Sequence, residues 1–398
     1  LLPNIDWVGA IDWNVRDFHS YDTAHGATYN SYLVRDDANA LIDAVKAPFF
    51  ARFYRQTTEL APPESIRYLV CNHAEPDHSS ALPLAVSAFP NAQIVVNKKC
   101  RDTLIRYYGG EAWNWRLVQT GDSISLGKRT LTFIETPMVH WPDSMMTYVP
   151  EDGLLFSMDA FGQHFAGTAR FDDEADPGVI MGEAKTYYAN IVAPHGKAVQ
   201  RTLAKAGGLK LNLIATSHGV IWRRGVQAIL SAYGDWAAHR MAPKVAVFYD
   251  SMWDSTGKIA EAVINGASVK GVETVLLHVR HNNLTRVATE FLDTAAFAFG
   301  SASLNNLPMP QAAAALVYLR GMNLPEKTGF AFGSYGWGGR GAPEYVEEQM
   351  KLAGWKISRP ILKCPYLPTG DTLAEAEEAG KALAGIALQA DREKRESK

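Results

Sequence analysis

The chain is expected to fold as two α/β domains in series: an αββα sandwich of two sheets covered by helices, then a doubly wound, five-stranded parallel sheet. Three observations predict this. Its 398 residues exceed what one hydrophobic core usually serves. Up to about residue 242, short strands separated by polar turns alternate with helices, which suits two packed sheets. Beyond Ala242-Pro243, a plausible linker, compact apolar strands each enter a polar or Gly-rich loop and then a helix. The expected domains are residues 1–242 and 243–398.

In chain order, Ile5–Trp13, Thr28–Arg35 and Ala40–Val45 read as antiparallel strands set apart by turns such as Asp36-Asp37-Ala38-Asn39. Phe49–Leu60 reads as a helix stopped by Pro62-Pro63. The apolar run Ile66–Cys71 is a buried strand, followed by a helix over Ser80–Phe89 and a strand at Gln93–Asn97. Asp122–Leu126 and Arg129–Glu135 form a hairpin about Gly127-Lys128. In the second half, strands are expected at Lys244–Asp250, Thr274–Arg280, Ala295–Gly300, Lys327–Phe332 and Trp355–Leu362. Helices are expected over Pro343–Ala353 and after Asp371, with a frayed charged tail from Asp391 to Lys398.

Composition excludes several function classes. A hydrophobic fraction of 47% with 20% charged residues describes an ordinary globular chain. A formal net charge of −3 gives no electrostatic case for nucleic acid. No apolar run approaches the roughly 20 residues that span a bilayer. Leu1 to Ala10 lacks a basic flank and an apolar core, so no secretory leader is expected. Three widely separated cysteines, Cys71, Cys100 and Cys364, supply neither a disulfide framework nor an iron–sulfur or rubredoxin-type module, and they fit a reducing cytoplasm.

The most informative stretch is Cys71-Asn72-His73-Ala74-Glu75-Pro76-Asp77-His78-Ser79-Ser80. Two imidazoles and two carboxylates leave the end of one strand within six residues. That mixture suits iron or zinc, whereas calcium and magnesium sites prefer oxygen alone. A solvated polar loop is the bland alternative, and four ligand-type side chains in six positions weigh against it. Three further candidates sit where a strand meets a loop: His140 in Met138-Val139-His140-Trp141-Pro142-Asp143, Asp159 after Gly153–Met158, and His218 in Ser217-His218-Gly219. Each alone would more often be a structural residue; their common placement on rigid strand ends favours ligation.

In the second half, Ser251-Met252-Trp253-Asp254-Ser255-Thr256-Gly257-Lys258 runs from a strand into a helix. Hydroxyls and free amides at a helix start can cradle a phosphate. The order Ser-Thr-Gly-Lys is no Walker A loop, so a phosphomonoester is favoured over a nucleoside triphosphate. A helix N-cap from Ser255 or Thr256 is about as plausible on this stretch alone. Two later strand-end loops, Ser301-Ala302-Ser303-Leu304-Asn305-Asn306 and Gly333-Ser334-Tyr335-Gly336-Trp337-Gly338-Gly339, add hydroxyls, amides and aromatics. Together the three loops suit a phosphate, a ribityl chain and a flat ring.

His-x-Glu-x-Asp-His, a later His, a later Asp and a final Ser-His-Gly resemble a variant of the metallo-β-lactamase fold. Glu75 stands where that superfamily usually has His. With His140-Trp141-Pro142-Asp143-Ser144 and Asp159-Ala160-Phe161-Gly162-Gln163, the variant looks like the flavodiiron proteins (A-type flavoproteins), from about Ile5 to the C-terminus. The resemblance implies one iron held by His73, Glu75 and His140, a second by Asp77, His78 and His218, and Asp159 bridging them. His78 alternatively serves as a hydrogen-bonding neighbour, since adjacent residues would both have to turn inward. A carboxylate in place of an imidazole adds charge and a hard donor, favouring a redox metal over hydrolytic zinc. The resemblance also suggests that His25 could approach the iron pocket and donate a proton or hydrogen bond. Tyr187 and Tyr188 are expected to open a helix, from which one could face a bound oxygen species.

The second half resembles flavodoxin, and specifically the flavodoxin-like domain of the same family. The implied cofactor is FMN. Its phosphate would lie on Ser251, Met252, Trp253, Asp254, Ser255 and Thr256, and its ring against Ser301 to Asn306 and Ser334, Tyr335, Gly336, Trp337 and Gly338. Ser301-Ala302-Ser303 departs from the more usual Ser-Pro-Thr. The implied function is transfer of electrons from FMN to a non-haem diiron centre that reduces dioxygen to water or nitric oxide to nitrous oxide. The implied partners are a separate donor (rubredoxin or a reduced deazaflavin) and a second copy in a head-to-tail homodimer, alone or as a dimer of dimers. The competing reading is a binuclear metal hydrolase with a flavodoxin-like accessory domain.

Overall fold

A computed structural model describes residues 1–338 and 341–396. Gly339 of the last loop and the final two residues of the tail lie outside the described residues. The chain divides into two compact units, Leu1–Tyr188 with Lys197–Gly234, and Ala189–Gly196 with Asp235–Lys398. Among the described residues no helix is long and apolar enough to cross a membrane.

The first unit is built on two sheets. One runs in the order β1 (Ile5–Trp7), β2 (Tyr32–Val34), β3 (Asn39–Ile42), β4 (Ile66–Val70), β5 (Gln93–Val96) and β6 (Trp115–Leu117). The other runs β7 (Ser123–Ser125), β8 (Thr130–Glu135), β9 (Met145–Val149), β10 (Leu154–Met158) and β11 (Leu213–Thr216). Their inner faces meet in one core, with Ile5, Val34, Ile42, Val70 and Val95 packed against Ile124, Phe133, Met145, Leu154 and Phe156. The expected hairpin is present, with Ile124 opposite Leu131.

Two strands read as continuous are broken. Ala10–Asp12 and Ala27–Tyr29 leave the main sheet and pair with each other. Gly9 marks the departure: a Cβ there would stand 2.4 Å from the Tyr29 carbonyl oxygen, so only glycine permits the crossing. Helix α1 (Phe50–Thr58) appears where expected. The segment after the ligand stretch is not one helix: it forms the single turn α2 (Pro76–Ser79) and then α3 (Leu82–Ala88). Helix α4 (Lys98–Tyr108) starts on Asn97, whose side chain accepts the Cys100 amide, and stops at Gly109, where φ is +71°. Helices α5 (Pro177–Tyr187), α6 (Gly196–Ala206) and α7 (Val226–Ala237) follow. Tyr187 therefore ends a helix rather than opening one.

The second unit is a parallel sheet in the order β13 (Glu273–His278), β12 (Ala242–Asp250), β14 (Thr294–Leu304), β15 (Thr328–Tyr335) and β16 (Lys356–Ile357), with β17 (Leu362–Pro365) also paired to β15. Ala242 and Pro243, read as a linker, are the first residues of β12. Val245 to Phe248 and Ala296 to Phe299 are fully buried, as expected for strands covered on both faces. Helices α8 (Ser255–Ala267), α9 (Leu284–Leu292), α10 (Pro310–Gly321), α11 (Ala342–Leu352) and α12 (Gly370–Glu396) provide that cover. α8 and α12 approach closely: a Cβ on Gly266 would meet the Glu377 carbonyl oxygen at 1.9 Å.

Three details differ from expectation. Ser301 to Leu304 extend β14 and return at Asn305-Asn306 into Leu307–Pro308, so this stretch is a strand extension with a tight turn. The expected strand over 355–362 is interrupted between β16 and β17, and Pro360, which lacks an amide hydrogen, lies in the gap. The tail is helical through Glu396.

Candidate functional site

The first site lies at the strand ends of the first unit. β4 stops at Val70, and the chain is then pinned by buried Asp43, which accepts the Asn72 amide at 2.7 Å and its Nδ2 at 3.0 Å. One helical turn follows, with Pro76 at its first position and Ser79 Oγ donating to the Ala74 carbonyl at 2.7 Å. This turn carries Asp77 and His78 inward together; both are buried. His140, Asp159 and His218 come from the ends of β8, β10 and β11. Non-glycine residues with left-handed backbone flank two of them: Met138 (φ 67°), Met158 (φ 58°) and Phe161 (φ 68°). Such strain is held only where surrounding structure enforces it, and it concentrates at working sites.

The seven predicted ligand residues converge in two groups. His73, Glu75, His140 and Asp159 offer donor atoms all within 4.8 Å of one another, as do Asp77, His78 and His218. Asp159 faces both. Its Oδ1 lies 3.0 Å from His78 Nε2 and 3.3 Å from His218 Nε2, and its Oδ2 lies 3.3 Å from His140 Nε2 and 3.7 Å from His73 Nε2.

These separations are informative because most are not hydrogen bonds. Both oxygens of Asp77 and of Asp159, both ring nitrogens of His78, and Nε2 of His140 and His218 are buried without a hydrogen-bond partner. Buried polar atoms are seldom left unpaired. Donors on a common cation at ~2.1 Å and right angles would stand about 3 Å apart, which is the observed spacing. Neither nitrogen of His78 finds a hydrogen-bond partner, which gives the alternative of a hydrogen-bonding neighbour no geometric support.

The other ring nitrogens fix the tautomers. His73 Nδ1 donates to Asp143 Oδ2 at 3.1 Å, and His218 Nδ1 to the Thr28 carbonyl at 2.6 Å, so Nε2 of each is left as an electron-pair donor toward the cluster. Burial opposes charge on every member. Despite it, the carboxylates raise all four imidazoles, His140 to about 9 and His218 to about 10. Glu75 and Asp159 are correspondingly held well below the usual carboxylate range, burial again being overridden by the imidazoles. Protons on the imidazoles and metal cations are thus alternative ways to offset the three buried carboxylates, and bound cations would displace those protons.

Around this cluster the expectations divide. Tyr187 is buried with its ring 6.0 Å from that of His218 and 5.1 Å from that of His164, so it does reach the pocket wall. His164 stacks on Tyr21 and hydrogen-bonds its hydroxyl through Nδ1. His25 does not reach the cluster. Its side chain is 47% exposed and stands 3.7 Å from Glu183, because the chain turns away at Gly26 (φ +69°). His19 fills that role: its Nε2 lies 2.5 Å from Glu75 Oε1, and its backbone is left-handed at φ 52°. Sequence reading passed over His19 because a single His in a short polar turn carries no spacing signal. Asp143, also missed as a participant, had one available clue in its place three residues after His140.

The second site is at the β-strand ends of the second unit. Neither Ser255 nor Thr256 caps α8: both are inside the helix and buried. The capping position belongs to Asp254, in left-handed conformation (φ 66°) with no side-chain cap bond. The first-turn amides are therefore open to an anion. Ser251 Oγ is buried without a partner at the same loop. Below it, Asp250 is fully buried, accepts the Ser251 amide at 2.8 Å and pairs with Arg280 Nη2 at 2.8 Å. Thr256 Oγ1 bonds Ser334 Oγ at 2.9 Å and ties this loop to the end of β15.

Beside the loop, Ser303, Asn305, Asn306, Tyr335, Gly336 and Trp337 line a cleft of about 360 Å³. That volume lies in the range of small-molecule sites. Trp253 and Trp337 are each 86% exposed, and Met252 is exposed too. Gly338 continues the Trp337 turn at φ +109°. Ser301 and Ala302 sit beneath the cleft rather than on it. Ser301 Oγ is used up within the fold, accepting the Met309 amide and donating to the Ala302 carbonyl. Ser303 Oγ accepts the Ala342 amide at 3.0 Å, and Leu304 is half-buried.

Comparison with known proteins agrees with this geometry. Residues 27–219 match the ODP family beta lactamase model and residues 247–380 the flavodoxin model. A nitric oxide reductase of Moorella thermoacetica is 42% identical over 389 residues, covering 96% of this chain and 97% of the relative. The flavodiiron protein of Giardia intestinalis superposes with a TM-score of 0.96 at 38% identity, covering 99% and 97% of the two chains. The rubredoxin:oxygen oxidoreductase of Desulfovibrio gigas does so with a TM-score of 0.94 at 32% identity, covering 98% of each.

Proposed function

The chain belongs to the flavodiiron proteins, and on that premise we propose that it is an oxidoreductase passing electrons from FMN to two non-haem irons, where nitric oxide becomes nitrous oxide or dioxygen becomes water. The carrying observation is Asp159, whose two oxygens face two adjoining clusters of unpartnered buried donors. One iron is assigned to His73, Glu75 and His140, the other to Asp77, His78 and His218, with Asp159 between them. Bound there, two irons would supply the electrons that a small diatomic substrate takes up. Glu75 supports iron over zinc, since it places a hard anionic donor where a hydrolase keeps an imidazole. The hydrolase alternative has no observation in its favour.

The protein's own groups have definable tasks. Asp143 and the Thr28 carbonyl orient His73 and His218. His19, 41% exposed yet against Glu75, stands between solvent and the cluster and can carry a proton inward. Tyr187 and Phe18 close the pocket around His218 and His164.

FMN is assigned to the second unit. The open amides of α8, Ser251 Oγ and Thr256 would hold its phosphate, and the cleft beside Tyr335 and Trp337 its ring. Residues 1–242 would then serve the metals and 243–398 the flavin. The two highly exposed tryptophans at the flavin loops support a head-to-tail homodimer that covers them. The donor is proposed to be a separate one-electron or hydride carrier such as a rubredoxin or a reduced deazaflavin, in a cytoplasmic setting.

The decisive experiment reduces the purified protein anaerobically, determines its metal, and mixes it separately with nitric oxide and dioxygen. Iron, bound FMN and rapid reoxidation by at least one gas are expected. Zinc in the site, with a flavin that reoxidises at the rate of free FMN, would refute the reading.

A further inference from the structure

Cys71 and Cys100 are in contact inside the first unit. Their sulfurs are 4.0 Å apart, and both residues are buried. Cys71 is the first residue past β4, and Cys100 lies in the first turn of α4, so the pair joins a strand end to a helix start. Cys71 Sγ donates to the His73 carbonyl at 3.1 Å, and Cys100 Sγ approaches the Cys71 carbonyl at 3.6 Å. These thiols therefore sit at the base of the loop that carries His73 and Glu75. Among the described residues, Cys364 is buried in the other unit.

We propose that Cys71 and Cys100 form a redox-reversible disulfide, a modification site closed by hydrogen peroxide and reopened by a dithiol. A disulfide needs its sulfurs at about 2.05 Å and its Cβ atoms at about 3.8 Å. From sulfurs 4.0 Å apart, bond formation requires closing about 2 Å, by rotating the side chains and drawing α4 toward β4. The chemistry balances in two steps. One thiol attacks peroxide, the O–O bond breaks, and a sulfenic acid and water result. The neighbouring thiol then displaces water from the sulfenic sulfur and forms the S–S bond. Overall two thiols lose two electrons and two protons, and one peroxide becomes two waters.

Burial shapes the response. It pushes the Cys100 thiol well up, and contact with Cys71 adds to the effect, so Cys100 is a slow nucleophile at rest. A small uncharged oxidant is the reagent that reaches such a site, whereas bulky thiol reagents are excluded. Once formed, the bond removes the hydrogen bond from Cys71 Sγ to the His73 carbonyl and ties the ligand loop to α4. The proposal does not depend on the assigned reaction, since peroxide is added from outside.

The test uses the intact holoprotein. It is exposed to hydrogen peroxide at a dose that converts exposed Met252 to its sulfoxide, then quenched, denatured and titrated for thiols. The count should fall from three to one. A non-reducing digest should contain a Cys71–Cys100 peptide two hydrogens lighter than its parts, and dithiothreitol should restore all three thiols. A C364S protein should behave alike, falling from two thiols to none. Three thiols surviving that dose, or sulfinic acid on either cysteine in place of the cross-linked peptide, would overturn the proposal.

Discussion

The carboxylate of Asp143 holds the imidazole of His73 at 3.1 Å through Nδ1, and with the same oxygen accepts the Ala74 amide at 2.8 Å. One buried acid thus sets both the tautomer of His73 and the path of the backbone that leads on to Glu75.

Asp143→Asn should therefore weaken metal binding without touching a metal. The amide can present its NH2 group to His73 and favour the wrong tautomer. Loss of such a supporting group costs roughly 10–100-fold in metal affinity. Chelator competition against added iron, compared with the parent protein, checks this; unchanged iron retention would show that Asp143 only shapes the loop.

Glu75→Ala should lose iron and gas reduction while keeping FMN. The lost oxygens are those facing His19, His73 and His140. Metal analysis beside a flavin absorbance spectrum reads both halves at once. An iron-loaded, active variant would refute the ligand assignment.

Thr256→Val should do the reverse, weakening FMN while leaving iron in place. It removes the hydroxyl that links the α8 loop to Ser334 at 2.9 Å. One such bond is worth about 1 kcal/mol, so roughly a five-fold rise in the FMN Kd is expected by fluorescence titration.

Glu183 predicts a pH effect on stability. Burial, with Asp22 adding to it, pushes its carboxyl up to about 7 from an ordinary 4.5. Between those values the folded state binds more protons than the unfolded one, so stability falls as pH rises through that window and then levels off. Glu183→Gln should remove the loss, stabilising the protein by up to ~3 kcal/mol at pH 8 and by little below pH 4.5. Urea melts of both proteins at the two pH values test the sign.

The residues that converge in the two donor clusters could be named from the chain because four ligand-type side chains fall within six residues after an apolar run, and three more follow other strand ends. The loop proposed for the phosphate was picked out for a similar reason: hydroxyls and a helix start are adjacent in sequence. Short-range patterns of this kind survive without coordinates. The breaks in the first strands were not legible, since the Gly9 contact with Tyr29 joins residues twenty apart.

His19 and His25 make the distinction sharp. Both are histidines in polar turns of the same segment, and composition does not separate them. Backbone handedness and the neighbouring chain turn His19 onto Glu75 and His25 toward Glu183. Likewise, sequence could name Asp77 and His78 but not make both face inward; one turn of helix starting at Pro76 and held by Ser79 does that. The residue types, and hence the chemistry available, were written in the sequence. Which atoms meet was decided by tertiary structure, because burial and direction depend on partners far along the chain.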